Sequence, residues 1–186
     1  MTTLQFLVLA SLVILVFSFW MATRYYPVRF HPRSLTLMGL MVALGTVAGP
    51  LMIPVGPAHA YPIQHTINVV AGVLLGPVEA VLIALLVGIL RNVLGLGTLL
   101  ALPGGVIGAF LAGVIYRRFQ RIPWAAAGEV VGTGLFGALA AVPIVRLIMG
   151  QELAALGLVI PFTLSALVGA VAAQIILRGV AHWFQS

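Results

Sequence analysis

Polar residues able to bind a small ligand are concentrated in two neighbouring stretches of an otherwise apolar chain. Gln64, His65 and Asn68 stand in the first stretch, and Arg91 and Asn92 stand in the second. On a helix, residues three or four positions apart share a face, so Gln64 and His65 both align with Asn68. Amide, imidazole and guanidinium groups together supply hydrogen-bond donors and acceptors. Such groups are costly inside apolar helices, so these five residues, the outer cluster, are typical of a ligand-binding site.

Two loops are predicted to cover the outer cluster. The first, residues 54–62, is rich in proline, which prevents a continuous helix, and carries Tyr61, whose ring can stack on an aromatic ligand. The second, residues 95–102, begins with glycines and carries Thr98. We therefore predict Tyr61 and Thr98 as further substrate-binding residues. An alternative is that the cluster only caps helix ends and that Arg91 extends to lipid headgroups.

A second group of charged residues is predicted near the opposite ends of the helices. Glu79 and Glu129 stand there, close to the basic residues Arg117, Arg118 and Arg121. Acid–arginine pairs at a membrane interface need no functional explanation, and exposed pairs contribute little stability. We interpret these glutamates as partners of the arginines rather than as part of a site.

The sequence does not indicate catalysis. No two of the histidines are four positions apart, and the chain has neither aspartate nor cysteine, so neither a zinc site nor a Ser-His-Asp triad is predicted. Lysine is absent too, which excludes a Walker A site. Ser165 has no base in its own segment. We predict a protein that is not an enzyme and that holds no metal or cofactor.

The composition is that of a membrane protein. Of 186 residues, 62% are hydrophobic and 6% are charged, whereas soluble domains carry about a quarter charged residues. A spanning helix needs about 20 apolar residues, so the length allows about seven spans at most. The net charge of +6 comes from arginines that stand mostly between apolar stretches. We interpret them as markers of cytoplasmic loops rather than as a nucleic-acid surface.

The elements that position the outer cluster follow from this pattern. Residues 4–23 are uncharged and lack both a basic n-region and a cleavage site, which favours an uncleaved transmembrane helix over a signal peptide. Residues 1–33 are predicted to form this helix and a basic linker, and residues 34–186 a six-helix substrate-binding domain. The fold class is therefore an all-α integral membrane protein, with domain helices at 34–53, 63–75, 77–94, 103–119, 126–149 and 156–179.

The arginines predict one orientation. If the linker at 24–33 and the basic cluster at 117–121 lie in the cytoplasm, six helices return the C-terminus to the cytoplasm as well. The loops at 54–62, 95–102 and 150–155 then lie outside and contain no arginine. The outer cluster accordingly faces the external side.

Small residues recur four positions apart on most of the predicted helices. Gly39 and Ala43 are one such pair, and Gly104, Gly108 and Ala112 form another ridge. In lipid, helices associate through close backbone contact at small residues, so most ridges are predicted to pack within the protein. One exposed ridge could instead contact a partner protein.

Several stretches together resemble the ThiW family. They are the residues from Ile63 to Val69, Leu74 to Pro77, Leu90 to Asn92, Gly95 to Gly104 and Gly128 to Gly134. The resemblance covers about residues 36–178 and is most specific over 63–113. Members of this family are identified as substrate-binding S components of energy-coupling factor (ECF) transporters, assigned to uptake of the thiazole precursor of thiamine.

The resemblance implies a six-helix S-component-like bundle in the cytoplasmic membrane of a prokaryote, with one extra N-terminal helix here. It implies binding of hydroxyethylthiazole. From the chemistry of its guanidinium, we expect Arg91 to contact the hydroxyl or, on a phosphorylated substrate, the phosphate. It also implies a transmembrane coupling subunit and two ATPase subunits as partners, with Gly39 and Ala43 as the coupling contact. Two alternatives stay open: a ligand-sensing receptor domain without transport activity, and a structural subunit without a ligand.

Overall fold

The computed structural model describes residues 20, 23–26, 31–55, 58–147 and 155–183. The predicted N-terminal helix at 4–23 lies almost entirely outside the described residues, as does all but the last residue of the loop at 150–155. The fold below therefore concerns the predicted membrane domain.

The regular secondary structure of the described chain is helical apart from one short hairpin. Its helices are α1 (Pro32–Val47), α2 (Pro62–Leu74), α3 (Pro77–Val93), α4 (Ala101–Phe119), α5 (Ile122–Val131), α6 (Ala138–Leu147) and α7 (Ala155–Trp183). A π-helical turn, Gly132–Gly137, joins α5 to α6 without a break. The helices predicted at 63–75, 77–94 and 103–119 agree with α2, α3 and α4 to within two residues at each end.

The predicted end of the first domain helix is wrong. We expected it to continue to residue 53, but α1 ends at Val47. Pro50 follows, and proline both removes a backbone donor and disfavours helical backbone in the residue before it. The chain then forms an antiparallel hairpin of β1 (Ile53–Val55) and β2 (Ala58–Ala60). Part of the loop predicted at 54–62 is therefore this hairpin.

The junction between α2 and α3 is sharp because Gly76 adopts φ 128°, a conformation open to glycine and unfavourable for other residues. Pro77 follows at the first turn of α3, where its missing N–H is tolerated. Arg117 of α4 donates from Nη2 to the carbonyl oxygen of Leu75 at 3.0 Å. The end of α2 is thus bonded to α4.

Glycines bring the backbones of three helices, α2, α3 and α4, close together. A Cβ on Gly72 of α2 would lie 2.9 Å from the backbone nitrogen of Gly113 of α4. A Cβ on Gly113 would in turn overlap the backbone of Pro77 at the start of α3. This close approach is the small-residue packing expected of helices that associate in lipid.

Two helices of the described part are long and apolar enough to cross a membrane. They are Ile122–Arg146, which joins α5, the π-helical turn and α6, and Gly157–Val180 within α7. The remaining described helices, of 13 to 19 residues, do not meet the same test of length and composition. The count of six spans plus one remains a prediction.

Candidate ligand-binding site

A buried carboxylate stands at the centre of the polar core. Glu129 of α5 is 0% exposed. Its Oε1 atom lies 2.7 Å from Nδ1 of His65, 3.0 Å from Nδ2 of Asn68 and 3.0 Å from Oγ1 of Thr133. Two helices thus converge on one oxygen, since His65 and Asn68 come from α2 whereas Thr133 stands one turn after Glu129. Charge-assisted hydrogen bonds of this kind are stronger than neutral ones.

This position of Glu129 corrects the sequence-based interpretation. We expected Glu79 and Glu129 to pair with cytoplasmic arginines, but no arginine forms an ion pair with either glutamate in the described part of the chain. The helix that carries Glu129 begins at Ile122 instead of residue 126. Glu129 therefore lies about two turns inside that helix and faces α2.

Glycines of α4 make room for this approach. A Cβ on Gly108 would overlap Oγ1 of Thr133 and would stand 2.7 Å from each carboxylate oxygen of Glu129. Nδ2 of Asn68 also donates to the carbonyl oxygen of Gly105 at 3.0 Å. Oγ1 of Thr133 lies 3.0 Å from the carbonyl oxygen of Gly104. A hydroxyl carries one hydrogen, so Thr133 donates either to Gly104 or to Glu129 at any moment.

The guanidinium of Arg91 forms the second part of the site. The residue is 2% exposed, which rules out the alternative in which its side chain extends to lipid headgroups. Nη1 donates to Oε1 of Gln64 at 2.6 Å, and Nη2 donates to the carbonyl oxygen of Leu96 at 3.3 Å. The ring of Tyr61 covers the guanidinium, with Cζ 4.1 Å from the ring centroid. A cation over an aromatic face is stabilised by the ring quadrupole.

Three buried polar atoms in these side chains have no hydrogen-bond partner within the described structure. They are Nε2 of Gln64, Nε of Arg91 and Oε2 of Glu129. Native structures leave few buried polar atoms unpaired, because each costs about 1–3 kcal/mol. Two donor atoms and one acceptor atom of the same polar core are therefore left without a partner.

The structure brings five of the seven predicted site residues into this core: Tyr61, Gln64, His65, Asn68 and Arg91. Asn92 is half-buried, and its Nδ2 donates to the carbonyl oxygens of Gly88 and Thr98 at 2.8 and 3.3 Å. Thr98 is exposed. The hydrogen bonds of Asn92 thus tie the loop to α3, and a role for either residue in binding stays a prediction.

Sequence analysis missed two members of the core, Glu129 and Thr133. They stand four positions apart, so they share a helix face within an apolar segment. An ionisable residue inside an apolar helix is by itself a functional candidate. Helix ends are hard to place from sequence, and Glu129 was assigned to an end close to the basic cluster. It was therefore interpreted as an ion-pair partner of those arginines.

Arg91 is also expected to contribute to the stability of the core. We expect Arg91→Lys to lower the free energy of unfolding by about 1–3 kcal/mol, because a lysine ammonium cannot reproduce the planar contacts to Gln64 and Leu96. Thermal unfolding of the purified protein in detergent measures this loss. Arg146→Lys is the matched control, since Arg146 is exposed. Equal melting temperatures for the two variants would contradict a structural role for Arg91.

The donors, the acceptor and the aromatic ring suit the binding of a small polar molecule. No group of three metal-ligating side chains occurs among the residues that the structure describes. No curated protein and no solved structure matches the chain. The family model described as "Thiamine-precursor transporter protein (ThiW)" matches residues 35–183 and so includes the whole polar core. The resemblance seen in the sequence is confirmed, and the chain belongs to this family of membrane transporters.

Proposed function

We propose that this protein is the substrate-binding membrane subunit of an ECF-type importer and that its substrate is hydroxyethylthiazole. The observation that carries the proposal is the set of three unpartnered polar atoms on Gln64, Arg91 and Glu129, all buried in one core. An intramembrane polar core with unused donors and acceptors favours a bound ligand over a purely structural role.

The chemistry of hydroxyethylthiazole is complementary to these atoms. Its ring nitrogen can accept from Nε2 of Gln64 or Nε of Arg91, and its hydroxyl can donate to Oε2 of Glu129. The ring of Tyr61 lies over the guanidinium beside this position and is available for stacking on the thiazole. In this proposal, His65 and Asn68 hold the Glu129 carboxylate in place. Asn92 and Thr98 act from the loop that covers the site.

An importer of the ECF type is driven by ATP hydrolysis, so the proposed function requires partners that bind ATP. We propose a transmembrane coupling subunit and two ATPase subunits, and we place the protein as a multi-pass component of a prokaryotic cytoplasmic membrane with its C-terminus inside. Residues 1–33 are proposed as an added N-terminal helix and linker, and residues 34–186 as the binding domain. The surface of α1 supports the coupling contact, since Gly39 and Ala43 are both exposed.

Calorimetric titration of hydroxyethylthiazole into the purified, detergent-solubilised chain tests the substrate. We expect a dissociation constant below about 1 µM, which corresponds to about −8 kcal/mol. Thiamine, which carries the thiazole as part of a larger cation, is expected to bind more weakly. Protein that is shown to be folded and binds neither compound would contradict the proposed substrate while leaving the family membership intact.

The two asparagines of the predicted site are expected to differ. Asn68→Ala removes donors to both Glu129 and the Gly105 carbonyl, so we expect it to weaken hydroxyethylthiazole binding by about 1–3 kcal/mol. Asn92→Ala removes bonds within the loop and is expected to cost less. Titration of both variants measures the difference. A larger loss of affinity in Asn92→Ala than in Asn68→Ala would mean that Asn92, and not Asn68, lies at the centre of the site.

The coupling contact has its own test. Gly39 has open space where a side chain would project, so Gly39→Leu is expected to leave thiazole binding unchanged. If α1 contacts the coupling subunit through small residues, the same substitution should reduce uptake into cells at least about tenfold, because close helix approach is lost. Gly179→Leu, in equally open space on α7, is the matched control. Normal uptake by Gly39→Leu would reject this contact.

A further inference from the structure

The free atoms of the polar core define which ligands fit it best. All three side-chain contacts to the Glu129 carboxylate, from His65, Asn68 and Thr133, converge on Oε1. Oε2 is buried and has no partner. A carboxylate oxygen can only accept, so the group that satisfies Oε2 must bring a hydrogen. A hydroxyl on the ligand meets this requirement, whereas an ether or a fully ionised phosphate does not.

The donors available to an anion are few. Arg91 already uses Nη1 for Gln64 and Nη2 for the Leu96 carbonyl, and its face is covered by Tyr61. Nε is the guanidinium nitrogen that has no partner, and the amide Nε2 of Gln64 is the other unpartnered donor atom. Phosphate is usually held by bidentate guanidinium contacts or by several backbone N–H groups. In the polar core both Nη atoms of Arg91 already donate to protein oxygens, so the guanidinium offers no pair of unengaged nitrogens for a bidentate contact.

The buried charges of the core also disfavour a phosphate ester. Arg91 contributes one positive charge and Glu129 one negative charge, so the core is neutral when His65 is neutral. A phosphate monoester carries about −1.5 to −2 charge at neutral pH. Placing it beside the Glu129 carboxylate would bring like charges together where little water screens them. An uncharged ligand meets no such penalty.

Two of the three unpartnered atoms lie against one face of α4. Nε2 of Gln64 is 2.5 Å from the Cβ position of Gly105, and Oε2 of Glu129 is 2.7 Å from the Cβ position of Gly108. Residues three apart on a helix have Cβ positions about 5–6 Å apart. One unpartnered donor and one unpartnered acceptor therefore lie against neighbouring positions on the same face of α4.

We infer that the site selects an uncharged heterocyclic alcohol over its phosphate ester, and that Oε2 of Glu129 accepts the hydroxyl hydrogen of that alcohol. The inference rests on the proposed function, because it takes the polar core as the place where the transported precursor binds. It goes further in assigning the selectivity to a residue that is not part of the predicted outer cluster.

The test compares three ligands by calorimetry on the full chain: hydroxyethylthiazole, its O-methyl ether and its phosphate ester. We expect the alcohol to bind at least about 100-fold more tightly than the phosphate and at least about 10-fold more tightly than the ether. Phosphate binding equal to or tighter than that of the alcohol would overturn the inference but would support the proposed function. Folded protein that binds none of the three would overturn both.

Glu129→Gln tests whether Glu129 causes the selectivity, because it replaces the unpartnered acceptor Oε2 by an N–H₂ donor of the same size. In this variant the ether is expected to bind as tightly as the alcohol. The ratio of alcohol affinity to phosphate affinity is expected to fall at least about tenfold. Glu79→Gln is the matched control, since Glu79 is also buried but stands about 18 Å along α3 from Arg91. If the folded Glu129→Gln variant still prefers the alcohol over the ether as strongly as the unaltered protein does, the role of Glu129 is overturned. If that variant does not fold, the three-ligand comparison on the unaltered chain still decides the selectivity.

Discussion

Glu129→Ala is expected to abolish detectable hydroxyethylthiazole binding and to lower the free energy of unfolding by about 3–5 kcal/mol. Removing one partner of a buried charged network leaves the others without compensation, and that loss is larger than the worth of a single hydrogen bond. His65, Asn68 and Thr133 would all lose their shared acceptor, and Arg91 would lose the balancing negative charge. Calorimetry and thermal unfolding in detergent measure the two effects separately.

Glu79→Ala serves as the control for this prediction. Glu79 is the other buried glutamate of the described chain, but it forms no hydrogen bond with the polar core. We expect thiazole binding to be unchanged in Glu79→Ala and the loss of stability to be smaller. If Glu129→Ala kept both its affinity and its melting temperature, the carboxylate would not be the centre of the site.

Gly113→Ala is expected to destabilise the bundle by about 2–3 kcal/mol. The added Cβ would overlap the backbone of Pro77, which cannot rotate aside as a side chain can, so α3 and α4 would have to separate. Alanine otherwise favours a helix over glycine by about 1 kcal/mol, and this gain is included in the expected net loss. The melting temperature of the purified variant, relative to the unaltered protein, measures the cost.

Gly179→Ala distinguishes packing from helix propensity. Gly179 also lies within a helix, but nothing stands within 4 Å of its Cβ position. Its melting temperature is expected to stay equal or rise slightly, because only the propensity term operates. A comparable loss of stability in both glycine variants would mean that backbone contact between α3 and α4 is not the cause.

The π-helical turn contributes both to the polar core and to the packing against α4. Gly132 and Gly137 within it approach the backbone of Gly108 and Gly104, respectively, and Thr133 reaches the Glu129 carboxylate. Single π-helical turns inside α-helices are frequent at functional sites. No feature of the sequence predicted this turn, because its glycines are equally compatible with an ordinary α-helix.

The sequence by itself indicated the helical class of the protein, the order of its helices and much of the candidate site. Apolar stretches separated by proline and glycine predicted α2, α3 and α4 closely, since these residues interrupt helices locally. The spacing of Gln64, His65 and Asn68 placed three site residues on neighbouring positions of one helix, because helical periodicity is a local property. The family motifs are local too, and the family match over residues 35–183 confirmed them.

Only the tertiary structure decided which residues of different helices meet. Glu129 is separated from His65 by two intervening helices, and its place in the core depends on how closely α4 lets α5 approach α2. That distance is set by Gly105 and Gly108, which look like any other small residues in the sequence. Asn92 differs, because its partners are carbonyl groups of its own helix and of the loop that follows. Helical periodicity fixes the direction of a side chain relative to its own helix, whereas the partner it finds depends on the packing of the whole bundle.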